Sequence, residues 1–334
     1  MRMLSAALWV SFQVSASGGP RISVAAERIG RTPILAPSLP WNSTGLFNPT
    51  AVEADGGTVL LFRATDAKMT SRIGFAKSAD GIHFHVGKNP VLTPEAIYEK
   101  GGGVEDPRVV LIAGTYYLTY TGYNGKDAQL CMATSKDLIH WTRNGVILPA
   151  YKGTWNTKWT KSGAIVPRKI GGKWWMYYLG TRTDPDGKDR DYMGLANSTD
   201  LEHWVDATDA PVLPRRPNAF DSRVMEPGPT PILTTAGILV LYNGASEDLV
   251  YGPAWALFDG GDPTKLIERA EKQFLLPKLD WEKKGVVPNV IFLEGAVFTP
   301  EHDGTIEGRG YYGAADTSVG AAHIHIQIHI ATAK

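Results

Sequence analysis

The chain has 334 residues, with 34 Lys plus Arg against 34 Asp plus Glu, so no charge excess exists to hold a nucleic-acid backbone or an anionic membrane surface. Its 43% hydrophobic and 10% aromatic content suffices for a large globular core. The single cysteine, Cys131, excludes an internal disulfide and a Cys-rich zinc site, and its strand-like surroundings point to a buried, inert thiol.

The first segment, MRMLSAALWVSFQVSASGG, has one early Arg, an apolar stretch from Leu4 to Val14 interrupted by Gln13, and small residues after it. That is the outline of a secretory leader. An N-terminal extension is the other reading, so export to the periplasm and a cytoplasmic location both stand. No other stretch approaches the ~20 apolar residues of a membrane span.

The remaining chain repeats itself. A turn glycine followed by an aromatic or aliphatic strand recurs at Gly57, Gly114, Gly172 and Gly237, with a looser fifth at Gly310, at spacings of 57, 58, 65 and 73 residues. A second element, Ser-x-Asp-x-x-His-aromatic, recurs at Ser78, Ser135 and Ser198. Its Asp, with the Gly or Leu beside it, suits a turn while the ring packs on a sheet, so it reads as punctuation between units rather than chemistry. Short strand-like runs separated by Gly, Pro, Asn and Asp fill the intervals, and long helical periodicity is nearly absent. Five units of ~60 residues, each able to supply four strands, predict an all-β, five-bladed β-propeller. The expected domains are an extension or leader over 1–27 and a single propeller over 28–334. The last strand, AAHIHIQIHI, alternates strictly. Its His323, His325, Gln327 and His329 read as the solvent-facing row of an edge strand that closes the ring, and not as metal ligands.

Four acids do not fit a structural role: Asp106 in GVEDPRVV, Glu226 in RVMEPGPTPI, Glu294 in NVIFLEGAV and Asp316 in GAADTS. Each sits among apolar, Gly or Pro residues, an unusual place for a solvated charge. An acid preceding a strand in successive units converges with the others near a propeller axis, and Glu105 with Arg108 reads as a supporting pair. Two carboxyl groups around a small pocket with aromatic walls suit glycoside cleavage. One protonates the leaving oxygen, in which case burial and a neighbouring carboxylate favour its proton, and the other activates water or attacks the sugar.

The ordered segments RIGRTPILAP, FNPTAV, FRATD, GVEDPRVV, KSGAIVPRKIGGKWWMYYLG, GPTPI, LVLYNG, VPNVIFLEG and GYYGAAD resemble glycoside hydrolase family 130, over roughly residues 28 to 330. The resemblance implies a five-bladed propeller acting on β-mannosides, with Asp106 as a general acid working through a sugar hydroxyl. It implies that Glu105 and Arg108 orient Asp106, that the glycines before it allow close approach to substrate, and that Asn48, Arg63 and Asp316 hold the terminal sugar. Tyr123, Lys161 and Asn243 complete the expected substrate-binding set. Many members are phosphorylases, from whose pattern this chain departs: Asn243 stands where they carry His, Leu179-Gly180 where they carry Arg, and Val224 where they carry Lys. Glu226 and Glu294 replace small residues and would repel a phosphate dianion while suiting a water. The resemblance therefore implies an inverting β-mannoside hydrolase, with β-1,2-linked manno-oligosaccharides as substrate, no cofactor, and either Glu as base.

The alternatives are a phosphorylase using Arg168, Lys161 or Arg223, an arabinofuranosidase or xylosidase of another five-bladed family, and a sugar-binding propeller without turnover. Trp155, Trp159 and Tyr192 lie in loops able to wall a second sugar. Oligomeric state is not legible.

Overall fold

The computed structural model of the protein describes residues 21–329; the possible leader lies outside the described residues. The strands form antiparallel meanders in chain order. After β1 (Arg21–Arg28), the first meander is β2 (Gly45–Ala54), β3 (Gly57–Thr65), β4 (Ser71–Ser78) and β5 (His85–Val86). The second is β6 (Gly103–Ile112), β7 (Thr115–Tyr123), β8 (Ala128–Ser135) and β9 (Thr142–Leu148). The third is β10 (Thr160–Ile165), β11 (Trp174–Thr183), β12 (Asp189–Ser198) and β13 (Val205–Asp206). The fourth holds β14 (Val224–Pro227), β15 (Ile232–Thr234), β16 (Gly237–Ala245), β17 (Gly252–Phe258) and β18 (Leu266–Arg269). The fifth is β19 (Ile291–Phe298), β20 (Thr305–Ala314) and β21 (Ser318–His329), which β1 completes by pairing with β21 from Arg21↔His329 to Arg28↔Ala322.

The fold is all-β. Among the described residues the strands make three hydrogen-bonded sheets and no closed one, because single parallel bridges, Ser71↔Gly103 and Asp191↔Val224, join the first meander to the second and the third to the fourth. The first strands neighbour one another: β2 packs against β19 and β6, and β10 against β6 and β14.

The glycine-led runs become β3, β7, β11, β16 and β20, each paired with the first strand of its meander and so second in pairing order. Their rings are largely core, since Tyr120, Tyr177, Tyr178, Tyr242, Tyr311 and Tyr312 are among the largest fully buried side chains. Each Ser-x-Asp-x-x-His element closes a third strand. At Ser135 the hydroxyl accepts from the Leu138 amide (2.9 Å), Asp137 accepts from the Ile139 and His140 amides, and Leu138 takes φ +67°. His140, like its counterparts His83 and His203, stays exposed, as turn punctuation requires.

On β21, Ile324, Ile326 and Ile328 are buried while His323, His325 and His329 face solvent, the period-two pattern of a half-buried strand. The strand is not an edge, however: β20 and β1 flank it, and β1 takes the edge. The boundary expected after residue 27 thus falls inside β1. Cys131 is buried in β8, and burial pushes its thiol far above the ordinary range.

Candidate active site

Four of the five first strands are broken by a bulge within their first five residues. The register skips Asn48 in β2, Asp106-Pro107 in β6, Ser162-Gly163 in β10 and Glu294 in β19. Asn48, Asp106 and Ser162 sit there at φ +48°, +50° and +58°. This left-handed backbone costs an ordinary L-residue about 1–2 kcal/mol and Asn or Asp least. A bulge re-aims a side chain that the pleat would otherwise send to a sheet face, and these four bulges bring polar side chains from separate meanders together. Glu226 joins them from β14 in regular register, opposite Asn243.

On one side lies an Arg63-centred network. Arg63 donates from Nη2 to Glu105 Oε1 (2.7 Å), from Nη1 to Asp106 Oδ1 (3.3 Å) and from Nε to Ser71 Oγ (3.0 Å), while Ser71 Oγ donates to Glu105 Oε1 (2.9 Å). Asn48 Nδ2 donates to Asp106 Oδ1 at 2.9 Å, and Asn48 Oδ1 is buried without a partner. Burial pushes the Asp106 carboxyl up. Arg63, Lys161, Asn48 and Arg108 outweigh it and hold Asp106 below the usual carboxylate range. This corrects the expectation that burial leaves Asp106 protonated: in the ligand-free site it is an anion.

Arg108 belongs to the other side. It is not Glu105's partner, because the bulge at Asp106-Pro107 separates the two side chains. Its Nε donates to Gly228 O (3.0 Å), Nη2 to Pro227 O (2.6 Å) and Nη1 to Asp106 O (3.2 Å). Nη2 also lies 3.5 Å from Glu294 Oε2 and 3.9 Å from Glu226 Oε1. Buried and engaged by three carbonyls, Arg108 positions the site rather than binding sugar, as does Asn243. Asn243 Nδ2 donates to Leu293 O (2.9 Å) and its Oδ1 accepts from Leu293 N (2.8 Å), so both ends of the amide clamp the backbone next to Glu294. Asn243, expected among the substrate-binding residues, thus has both ends of its amide engaged by backbone.

Burial pushes Glu226 up to about 7, with Asp106 adding to the rise and Arg108, Ser162 and Lys161 opposing it. Burial, with Asp106 and Glu226, holds Glu294 well above the carboxylate range against Arg108 and Arg63. Both Glu294 oxygens are buried without a hydrogen-bond partner, whereas Glu226 Oε1 accepts from Ser162 Oγ. The arrangement provides one carboxyl held below the usual range and two pushed above it, Glu226 to about 7, a set suited to moving protons around a polar ligand.

Asp316 lies in the β20–β21 turn at φ +51° rather than before a first strand. It makes no hydrogen bond among the described residues, and burial pushes it up to about 6. Among the described residues Lys161 has no ion pair within 4 Å; its ammonium sits 5.3 Å over the Trp159 ring, and although burial opposes its charge, Glu105, Asp106, Asp191 and Glu226 sustain it. These two groups are free to meet a ligand. Tyr123 does not join the cluster: its hydroxyl donates to Gly125 O (3.1 Å) on the exposed side. Trp155 and Tyr192 are 5% and 2% exposed and pack edge-on, 6.5 Å apart, as core rather than walls. Trp159 stays half-buried beside Lys161. Of the alternative cations, Arg168 is exposed beyond β10, and Arg223 leans 3.7 Å from Glu247.

The glycines before Asp106 serve backbone packing, not substrate approach: a Cβ on Gly103 would lie 2.2 Å from Ser71 O, and one on Gly102 2.1 Å from the Tyr123 ring. Residues the sequence did not single out are Ser71, Ser162, Asp191 and Tyr251. Asp191 is raised by burial against Thr181, Lys161 and Arg223, and the Tyr251 phenol is raised by burial and by Glu226, Asp191 and Asp316. A groove of about 930 Å³ lies elsewhere, lined by residues that include Glu53, Asp55, Asp80, Arg309 and His323. The buried carboxylates with open valences, not groove size, mark the site.

The chain is similar to known proteins over most of its length. The family profile described as β-1,4-mannooligosaccharide phosphorylase matches residues 28–331. A 1,2-β-oligomannan phosphorylase from Thermoanaerobacter sp. (strain X514) is 36% identical over 313 residues, 90% of this chain and 97% of that protein. A β-1,2-mannobiose phosphorylase from the same organism is 33% identical, over 89% of this chain and 96% of its own. A solved structure presented with the statement that the GH130 family of mannoside phosphorylases contains glycoside hydrolases targeting β-1,2 mannosidic linkages in Candida mannan has a TM-score of 0.78 at 33% identity, covering 90% of this chain and 93% of that one.

Proposed function

The chain belongs to glycoside hydrolase family 130, and from that membership together with the carboxylates around Arg108 we propose that it is an inverting hydrolase releasing mannose from β-1,2-linked manno-oligosaccharides. The observation that carries this reading is the pair Glu226 and Glu294, 3.9 and 3.5 Å from one Arg108 nitrogen. Either carboxyl disfavours a phosphate dianion when it ionises, and both present oxygens that hold a water. In this reading Asp106 is the acid, delivering its proton through a sugar hydroxyl to the leaving oxygen, while Asn48 and Arg63 hold that carboxyl and Asp316 meets the terminal sugar. The five meanders, with β2 packed against β19 and β6, β10 against β6 and β14, and β19 against β16 and β17, support a five-bladed ring with this cluster at its centre.

The names of the curated relatives favour a second reading, phosphorolysis, over hydrolysis. One feature of the site supports it: the Lys161 ammonium, without an ion pair, is a cation free to meet an anion. The test is release of mannose from β-1,2-mannobiose by the purified protein with and without inorganic phosphate. Free mannose at a rate indifferent to phosphate supports hydrolysis. Mannose 1-phosphate formed only with phosphate establishes the second reading.

A further inference from the structure

The two glutamates are chemically alike but differently held. Arg108 stands nearer Glu294 (3.5 Å) than Glu226 (3.9 Å), so the guanidinium alone would favour ionising Glu294. Hydrogen bonding points the other way. Ser162, fully buried on the β10 bulge at φ +58°, donates its hydroxyl to Glu226 Oε1, while among the described residues neither oxygen of Glu294 has a hydrogen-bond partner. A buried carboxylate anion without a donor is the costlier one to form.

We propose, resting on the hydrolytic reading, that Ser162 is the positioning residue that makes Glu226, and not Glu294, the base. Water attacks the anomeric carbon, its O–H bond breaks and the proton passes to Glu226. The glycosidic C–O bond breaks as the leaving oxygen takes a proton from a sugar hydroxyl, which is replenished by Asp106. Glu294, protonated and clamped through Asn243, donates a hydrogen bond to the water. Turnover thus ends with Glu226 protonated and Asp106 anionic, which is the resting state of the free site. The reactive form, with the proton on Asp106, is its minor tautomer.

The charged and titratable groups facing Glu226 are Arg108 and Asp106 from β6, Lys161 from β10, Glu294 from β19 and Tyr251 from the β16–β17 loop. Removing Ser162 leaves all of them in place and takes away a donor that favours the anion, so Glu226 holds its proton to higher pH. The shift expected for one hydrogen bond to a charged group is about one unit. Because the singly protonated pair is the active one, kcat/KM falls above the higher of its two macroscopic values, which Glu226 sets. In Ser162→Ala that limb moves up about one unit and the plateau below it drops up to about tenfold. At high pH the two profiles merge, because there the amount of reactive tautomer depends on Asp106 alone.

Ser162→Gly is the companion variant, since glycine suits φ +58° and removes the hydroxyl without backbone strain. The experiment measures kcat/KM against pH on β-1,2-mannobiose in phosphate-free buffer, beside a carbon-13 titration of the glutamate carboxyls in the ligand-free protein, assigned with Glu226→Gln. The expected result is the same upward shift in both measurements for both variants, with the limb retained in Glu294→Gln. A limb that stays put, a uniform loss at every pH, or a limb that disappears with Glu294→Gln instead overturns the assignment. A strict phosphate requirement overturns the hydrolytic reading, and the carboxyl titration still reports whether Ser162 holds Glu226.

Discussion

Asn243 fills no subsite, and replacing it with Ala should be costly for a reason that lies wholly in Leu293. The substitution removes the partner of the Leu293 N–H (2.8 Å) and of its C=O (2.9 Å), both buried between β16 and β19. Leaving a buried backbone group unpaired costs about 1–3 kcal/mol, so the pair amounts to about 2–6 kcal/mol. For a chain of 334 residues, an unfolding entropy of about 2.1 cal/mol/K per residue gives roughly 0.7 kcal/mol/K, hence a fall in Tm of about 3–9 °C. Since Leu293 precedes Glu294, relaxation of the clamp also loosens that carboxyl, and displacement by about 1 Å reduces turnover by about 10²-fold. Calorimetry and kcat on β-1,2-mannobiose together provide the assay. A Tm within about 1 °C of the parent would refute the clamp, and a lower Tm with unchanged kcat would refute its connection to Glu294.

Three further outcomes are expected. kcat/KM should fall above about pH 7, where the proton shared by Asp106 and Glu226 is lost, and fall again only below the ordinary carboxylate range, where Asp106 takes up a second proton; a rising limb near pH 7 would contradict the anionic resting state of Asp106. Arg63→Lys cannot reproduce contacts to Glu105, Asp106 and Ser71 at once, so kcat/KM should drop by about 10²-fold or more, by analogy with losing an oriented donor at a reacting group, with little loss of secondary structure by circular dichroism. Gly295→Ala would put a Cβ 2.5 Å from Pro49 O and 2.8 Å from Ala51 N, and separating β19 from β2 should lower stability by about 1–3 kcal/mol, read as a lower urea midpoint.

The repeat was legible because each meander must bury its second strand, and burial selects the same aromatic and aliphatic run five times. The acids were legible for the converse reason: Glu226 and Glu294 stand in company that structure alone does not favour. What the sequence hid was the direction of side chains. The bulges at Asn48, Asp106, Ser162 and Glu294 carry no fixed residue pattern, and a one-residue slip turns a strand position from one face to the other. Thus Arg108, close to Glu105 in sequence, stands with Glu226 and Glu294, while Arg63, from another strand, holds Glu105. Ser162 carries no charge that would mark a strand serine in the sequence, and the backbone partner of Asn243 leaves no trace in residue pattern. The edge role expected for β21 failed because its neighbour, β1, comes from the segment set aside as an extension.

The central claim is that the groups around Arg108 deliver water, not phosphate, to the anomeric carbon. The most direct test is turnover of β-1,2-mannobiose in oxygen-18 water containing inorganic phosphate, followed by proton NMR and mass spectrometry from the first minutes. The account predicts that the mannose released from the non-reducing end forms first as the α-anomer, with one oxygen-18 at C1, at a rate independent of phosphate. Mannose 1-phosphate without oxygen-18 at C1, formed in proportion to phosphate, would contradict it.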